Sequence, residues 1–314
     1  MDFERNRAVL DQVVKEKAII RNVSKHRNPD GTLDIVGNLK LWNTVMARFE
    51  KIQLWENGAP GFDDRDPNQE EPYIVFVPAP GSSKKRGTII VAHGGGFETR
   101  TGCEGVHVAQ YFNKAGFAVA ILSYRLIPYN QRDAIADMQR AIRVLRSRKD
   151  EFGISDKIAV MGFSAGGMLS GNCATHFDYG KKEDADPIEH FSCRPDAAVV
   201  GYGAFSSVSF PGGFFDNPFT DKDRAEKLYL APEKNITVET PPFFIWQTNS
   251  DDPRLSMNLA KALTESGIMF ELLCFPMGVH GMALADGNND LDLKIPHVMH
   301  WSELCAEWLE SLGL

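Results

Sequence analysis

Short apolar runs recur along the chain: YIVFVPA from Tyr73, TIIVAHG from Thr88, FAVAILSY from Phe117, KIAVMGF from Lys157, AAVVGYG from Ala197, FFIWQTN from Phe243 and FELLCFP from Phe270. Most are continuous rather than alternating, the pattern of strands buried on both faces. Between several of them lie stretches of helical period, over 104–115, 133–152, 165–177 and 254–266, with a last one over 297–311. Strand and helix in alternation predict βαβ units: an α/β fold whose mainly parallel central sheet, of about eight strands, carries helices on both faces. ARFEKIQLW, residues 47–55, would add an antiparallel edge strand, joined to Tyr73 by a polar loop.

Two regions stand outside the alternation. Residues 1–45 read as an N-terminal helical extension ahead of a main domain over 46–314. Residues 205–242 read as an insertion after a central strand, where lids and substrate loops are found. Its aromatic residues Phe205, Phe210, Phe214, Phe215 and Phe219 suit a site lining and core packing equally. The 314 residues, 43% hydrophobic and 24% charged, describe an ordinary globular protein. A net charge of −8 disfavours nucleic acid and anionic membrane surfaces as partners. Of the local basic runs, SKKR (83–86) reads as a solvated turn and RVLRSRK (143–149) as the exposed face of a helix. The opening MDFERNRAVLDQ has no apolar signal core, and no later run is long enough to span a bilayer. Five scattered cysteines without a CxxC pair argue against a disulfide framework or a thiolate zinc site, so a cytoplasmic protein is expected. The sequons at Asn22 and Asn235 are expected to be chance.

The candidate chemistry begins at GFSAG, residues 162–166, between the strand KIAVM and a helical stretch. That is the context of a nucleophile elbow, in which flanking glycines let neighbouring backbone pass close to a serine held on a strained turn. Ser164 is the candidate nucleophile. A dinucleotide-binding turn would need glycine where Ser164 stands. HGGGF, residues 93–97, follows another strand, and successive glycines bare the backbone N–H groups of which oxyanion holes are made. Gly95 and Gly96, with the N–H of Ala165, are the candidate donors, and His93 is expected to hold the loop's shape. A serine needs a base. Of eight histidines, His280 in FPMGVHGMAL follows a strand by a short loop, whereas His297 and His300 fall on the last helical stretch and His176 and His190 precede any candidate acid. Asp251 and Asp252 end the strand before it; Asp251 is taken as the triad acid and Asp252 as the cap of the next helix. Ser164, Asp251 and His280 each then follow the C-terminal end of a parallel strand, where distant residues converge.

With these residues in place, the chain resembles the α/β-hydrolase superfamily, and within it the bacterial branch of acetylxylan esterases and BD-FAE-type, feruloyl esterase-like hydrolases. The likeness runs from about Leu54 onward and rests on LWENGAPG, HGGGFETRTGCEGVHVAQYFNKAGFAVAILSYRL, GISDKIAVMGFSAGGMLS, ETPPFFIWQTNSDD and GIMFELLCFPMGVHGMAL. The family pattern W-H-T-x-x-D aligns Trp246, Thr248 and Asp251, with Gln247 where the family has histidine; after Asp252 the chain reads PRLSMN in place of a longer Val-Pro loop. The resemblance implies a serine esterase without cofactor or metal, acting on a small-molecule ester, acetylated sugars or xylo-oligosaccharides in particular. A general short-chain carboxylesterase or an amidase or peptidase-like hydrolase are the alternatives, and a catalytically silent binding protein would be expected to have lost Ser164, His280 or the glycine loop. Composition fits a monomer and a homo-oligomer equally.

Overall fold

A computed structural model describes residues 2–18, 27–63, 65–81, 87–206, 208–210 and 224–314. The SKKR run, Asn22, Phe214, Phe215 and Phe219 lie outside the described residues. The strands are β1 (Ile52–Gln53), β2 (Tyr73–Val77), β3 (Thr88–Ala92), β4 (Ala118–Ser123), β5 (Ile158–Phe163), β6 (Ala197–Gly201), β7 (Phe243–Thr248) and β8 (Phe270–Phe275). The helices are α1 (Phe3–Glu16), α2 (Ile35–Met46), α3 (Val108–Lys114), α4 (Gln131–Ser147), α5 (Lys149–Phe152), α6 (Ala165–Thr175), α7 (Arg224–Tyr229), α8 (Arg254–Glu265) and α9 (Pro296–Ser311).

All eight strands form one sheet in the order β1-β2-β4-β3-β5-β6-β7-β8. The β1–β2 and β2–β4 pairs are antiparallel and the rest parallel. Every residue of β2 to β7 is buried, which is why these runs do not alternate. Successive strand residues feed opposite cores. Ile90, Val160, Ala198 and Ile245 pack with Met138 of α4, Leu169 of α6 and Leu259 of α8. Val91, Met161, Val199 and Phe244 pack with Phe112 of α3, Trp301 of α9 and Val13 of α1. Register aligns the strand ends, Ala92 beside Gly162, Phe163 beside Gly201, Gly201 beside Trp246 and Thr248 beside Phe275. The loops that leave these ends therefore emerge along one edge of the sheet.

Local chemistry moves two helix starts away from the predicted ones. α4 begins at Gln131 because Asn130 caps it: its side chain accepts from the Asp133 N–H, and Asp133 accepts from the Asn130 N–H in return. The stretch predicted from residue 104 opens with a π-helical turn, Cys103–His107, before α3. The reading of RVLRSRK as an exposed face is overturned at its first residue. Arg143 is buried, its guanidinium bonded to both Asp178 carboxylate oxygens at 2.6 Å, and Val144 and Leu145 are core residues. Pairing with an acid that lies beyond α5, β5 and α6 is invisible to a one-dimensional charge pattern.

Candidate active site

Ser164 joins β5 to α6 with φ 53° and ψ −123°, a left-handed backbone for a residue with a side chain. Such a conformation costs on the order of 1–3 kcal/mol and persists only where its surroundings impose it. Here three glycines do so. A Cβ on Gly162 would overlap the Gly166 carbonyl, one on Gly166 would overlap the Ala92 carbonyl, and one on Gly203 would come within 2.5 Å of the Ser164 carbonyl. The turn can be this tight only because no side chain occupies those spaces.

The His280 ring bridges the other two groups. Its Nε2 lies 2.8 Å from Ser164 Oγ and its Nδ1 lies 2.7 Å from Asp251 Oδ2. A carboxylate only accepts, so Nδ1 carries the proton and Nε2 presents a lone pair to the serine hydroxyl. The three residues come from the ends of β5, β7 and β8 and form one continuous hydrogen-bonded chain. Asp251 is buried, and the turn that carries it is braced by Gln247, whose amide donates to the Asp251 carbonyl and accepts from the Ser256 hydroxyl. Asp252 faces elsewhere: it pairs with the Arg254 guanidinium at 2.7 Å and accepts the Arg254 N–H at 3.3 Å. It thus bonds the first N–H of α8, although Pro253 rather than Asp252 occupies the cap position.

The glycine loop leaves β3 beside the elbow, and a Cβ on Gly94 would stand 2.9 Å from the Phe163 carbonyl and 3.0 Å from Ser164 Cβ. Gly95 and Gly96 have φ of 114° and 65°. Among the described residues, the N–H groups of Gly95, Gly96 and Ala165 donate to no protein acceptor. His93 supports this loop from beneath. It stacks on Tyr124 at 4.4 Å and meets the edge of Trp42 of α2 at 5.0 Å. The Arg100 guanidinium, which can only donate, lies 3.1 Å from Nε2, so Nδ1 carries the proton and donates to the Gly94 carbonyl at 2.7 Å. Burial, reinforced by Arg100, pushes the His93 pKa far below the ordinary histidine value and keeps the ring neutral. Asn38 of α2 exchanges two hydrogen bonds with the Arg100 backbone, so the N-terminal helices reach the scaffold of the loop.

Two residues near the site escape sequence reasoning. Glu104 accepts from the Gly94 N–H, and Tyr202, at the end of β6, packs its ring edge-on to His280 at 5.0 Å. Only the strand-end position of Tyr202 hinted at proximity; nothing in the sequence marks Glu104 as buried. From the insertion, Phe205 lies 6.1 Å from the His280 ring, ring centre to ring centre, and Phe210 meets the Arg254 guanidinium at 5.5 Å. Among the described residues no cluster of three or more His, Cys, Asp or Glu could hold a metal, and no helix is long and apolar enough to cross a membrane.

The strand order, with a serine on the β5–α6 elbow and a histidine after β8, defines an α/β hydrolase. Residues 75–202 match the BD-FAE family model. An acetyl ester-xyloside bifunctional hydrolase from Caldicellulosiruptor lactoaceticus is 35% identical with a TM-score of 0.77, over 84% of this chain and 96% of that one. An endo-1,4-beta-xylanase B of Butyrivibrio fibrisolvens is 32% identical over 64% of this chain and 33% of its own length, and an acetylxylan esterase of Xylanibacter ruminicola is 29% identical over 73% and 47%. The chain thus spans a third to a half of the curated relatives it matches. It belongs to the α/β-hydrolase carbohydrate esterases.

Proposed function

We propose that the chain is a serine esterase that removes short acyl groups, acetyl above all, from sugars or xylo-oligosaccharides. The continuous chain from Ser164 Oγ through His280 to Asp251 carries this reading. As Oγ attacks the ester carbonyl, Nε2 of His280 takes its proton, and the Asp251 carboxylate stabilises the resulting imidazolium. The N–H groups of Gly95, Gly96 and Ala165 receive the oxyanion. As the tetrahedral intermediate collapses and its bond to the sugar oxygen breaks, His280 gives its proton to that oxygen, which leaves as a hydroxyl, and Ser164 is left acylated. Water, activated by the same imidazole, releases acetate and regenerates the serine. Phe205, 6.1 Å from the His280 ring, is the aromatic residue of the insertion that would flank the bound ester. The sugar part of the proposal is supported by the acetylxylan esterase and acetyl ester-xyloside hydrolase relatives.

The test is acetate release from acetylated xylo-oligosaccharides, beside p-nitrophenyl acetate and p-nitrophenyl octanoate, for wild type and Ser164→Ala. Sugar and acetate-ester activity should both fall on the order of a millionfold in the variant. Octanoate hydrolysis without sugar deacetylation would move the chain to general carboxylesterases. Hydrolysis that survives Ser164→Ala would end the triad reading.

A further inference from the structure

Glu104 is a carboxylate the proposed hydrolytic steps do not use, yet it is only 2% exposed. Burying a carboxylate is unfavourable unless its oxygens are satisfied, and an apolar side chain would fill the space more simply. Here both oxygens are satisfied. Oε2 accepts from the Gly94 N–H at 3.0 Å and from the Thr101 hydroxyl, and Oε1 accepts from the Tyr202 hydroxyl at 2.7 Å. The same phenol oxygen accepts the N–H of Ala283 at 2.9 Å, three residues beyond His280. Burial, and then the negative charge of Glu104, push the Tyr202 pKa far above the ordinary tyrosine value, so the phenol keeps the proton it donates. Tyr202 itself holds a φ of 37°, a left-handed backbone that its surroundings must maintain.

We propose that Glu104 and Tyr202 form a positioning relay between the oxyanion loop and the loop that carries the base. The bonds run from Gly94, one residue before the first oxyanion donor, through Glu104 and Tyr202 to Ala283, with the Tyr202 ring against the imidazole itself. These loops leave β3, β6 and β8, no two of which are neighbours in the sheet. The relay sets the spacing between the donors and Nε2 of His280 about Ser164, a spacing on which both acylation and deacylation depend. Neither residue touches the reacting atoms. The inference rests on the Ser164 triad reading.

The experiment compares Tyr202→Phe, Glu104→Gln, their double variant and Ser164→Ala on p-nitrophenyl acetate. A fluorophosphonate that labels Ser164 counts the competent sites, so that kcat refers to folded protein only. Each relay variant should lower kcat per labelled site by about tenfold to a hundredfold, with KM within about twofold. The double variant should be no worse than the poorer single, because both substitutions cut one connection. Wild-type kcat per labelled site in both singles would overturn the relay, as would losses that multiply in the double variant or that lie wholly in the number of labelled sites. With Ser164→Ala inactive, such results sink the relay alone. If Ser164→Ala stays active, the triad reading falls and the relay with it.

Discussion

Replacing Asp251 with asparagine separates the two adjacent acids by chemistry rather than size. The Asp251 carboxylate, buried and 2.7 Å from His280 Nδ1, can only accept, and this holds the ring in the tautomer whose Nε2 faces Ser164 at 2.8 Å. An amide in the same place donates its N–H to Nδ1, which moves the ring proton to Nε2. The serine then faces a donor and has no base. In triads of this kind that exchange lowers turnover about ten-thousandfold, equivalent to ~5 kcal/mol of transition-state stabilisation. Asp252 makes its bonds to Arg254, whose side chain is 71% exposed, so Asp252→Asn removes only a solvent-screened surface pair and leaves the base untouched. Steady-state hydrolysis of p-nitrophenyl acetate measures both, with thermal unfolding to confirm that each variant folds. The expected ranking is a loss of about four orders of magnitude for Asp251→Asn and less than about twofold for Asp252→Asn. Equal losses or the reverse order would refute the assignment of the acid.

Two further outcomes follow from the scaffold of the site. Gly162→Ala should destabilise by ~3 kcal/mol or more, because its Cβ overlaps the Gly166 backbone, which cannot move without opening the elbow; Gly96→Ala, at a φ of 65° with open space around it, should lose only ~1–2 kcal/mol, and urea unfolding that ranks the two the other way would contradict the packing described. Because the folded protein keeps His93 neutral while the unfolded chain protonates it near 6.5, the unfolded state binds the extra proton below that pH. Stability should therefore be full above about 6.5 and fall on acidification, His93 contributing up to ~1.4 kcal/mol per pH unit. His93→Asn, although less stable at neutral pH, should lack that contribution, and a wild-type-to-variant difference that stays constant from pH 7.5 to 5 would argue against a neutral buried ring.

Much of this molecule can be read along one dimension. The buried strands are legible because a strand covered on both faces must be apolar throughout, and GFSAG and HGGGF because glycine is required wherever backbones approach more closely than a Cβ permits. Ser164 and His280 stand out because each lies in a glycine-marked loop that follows an apolar run, the buried β5 and the half-buried β8. What the tertiary structure alone decides is which distant groups meet. It turns Asp251 toward the imidazole and Asp252 toward Arg254, the arrangement expected from the likeness to W-H-T-x-x-D, through the backbone of one turn that separates neighbours of identical chemistry. It buries Arg143, part of a run that reads as a solvated face, because Asp178 arrives from beyond α6. And it places Glu104, anonymous within a helical period, between the glycine loop and Tyr202. Periodicity and glycine spacing are properties of neighbours along the chain, whereas the pairing of buried charges and the orientation of side chains at the candidate site depend on contacts between segments dozens of residues apart.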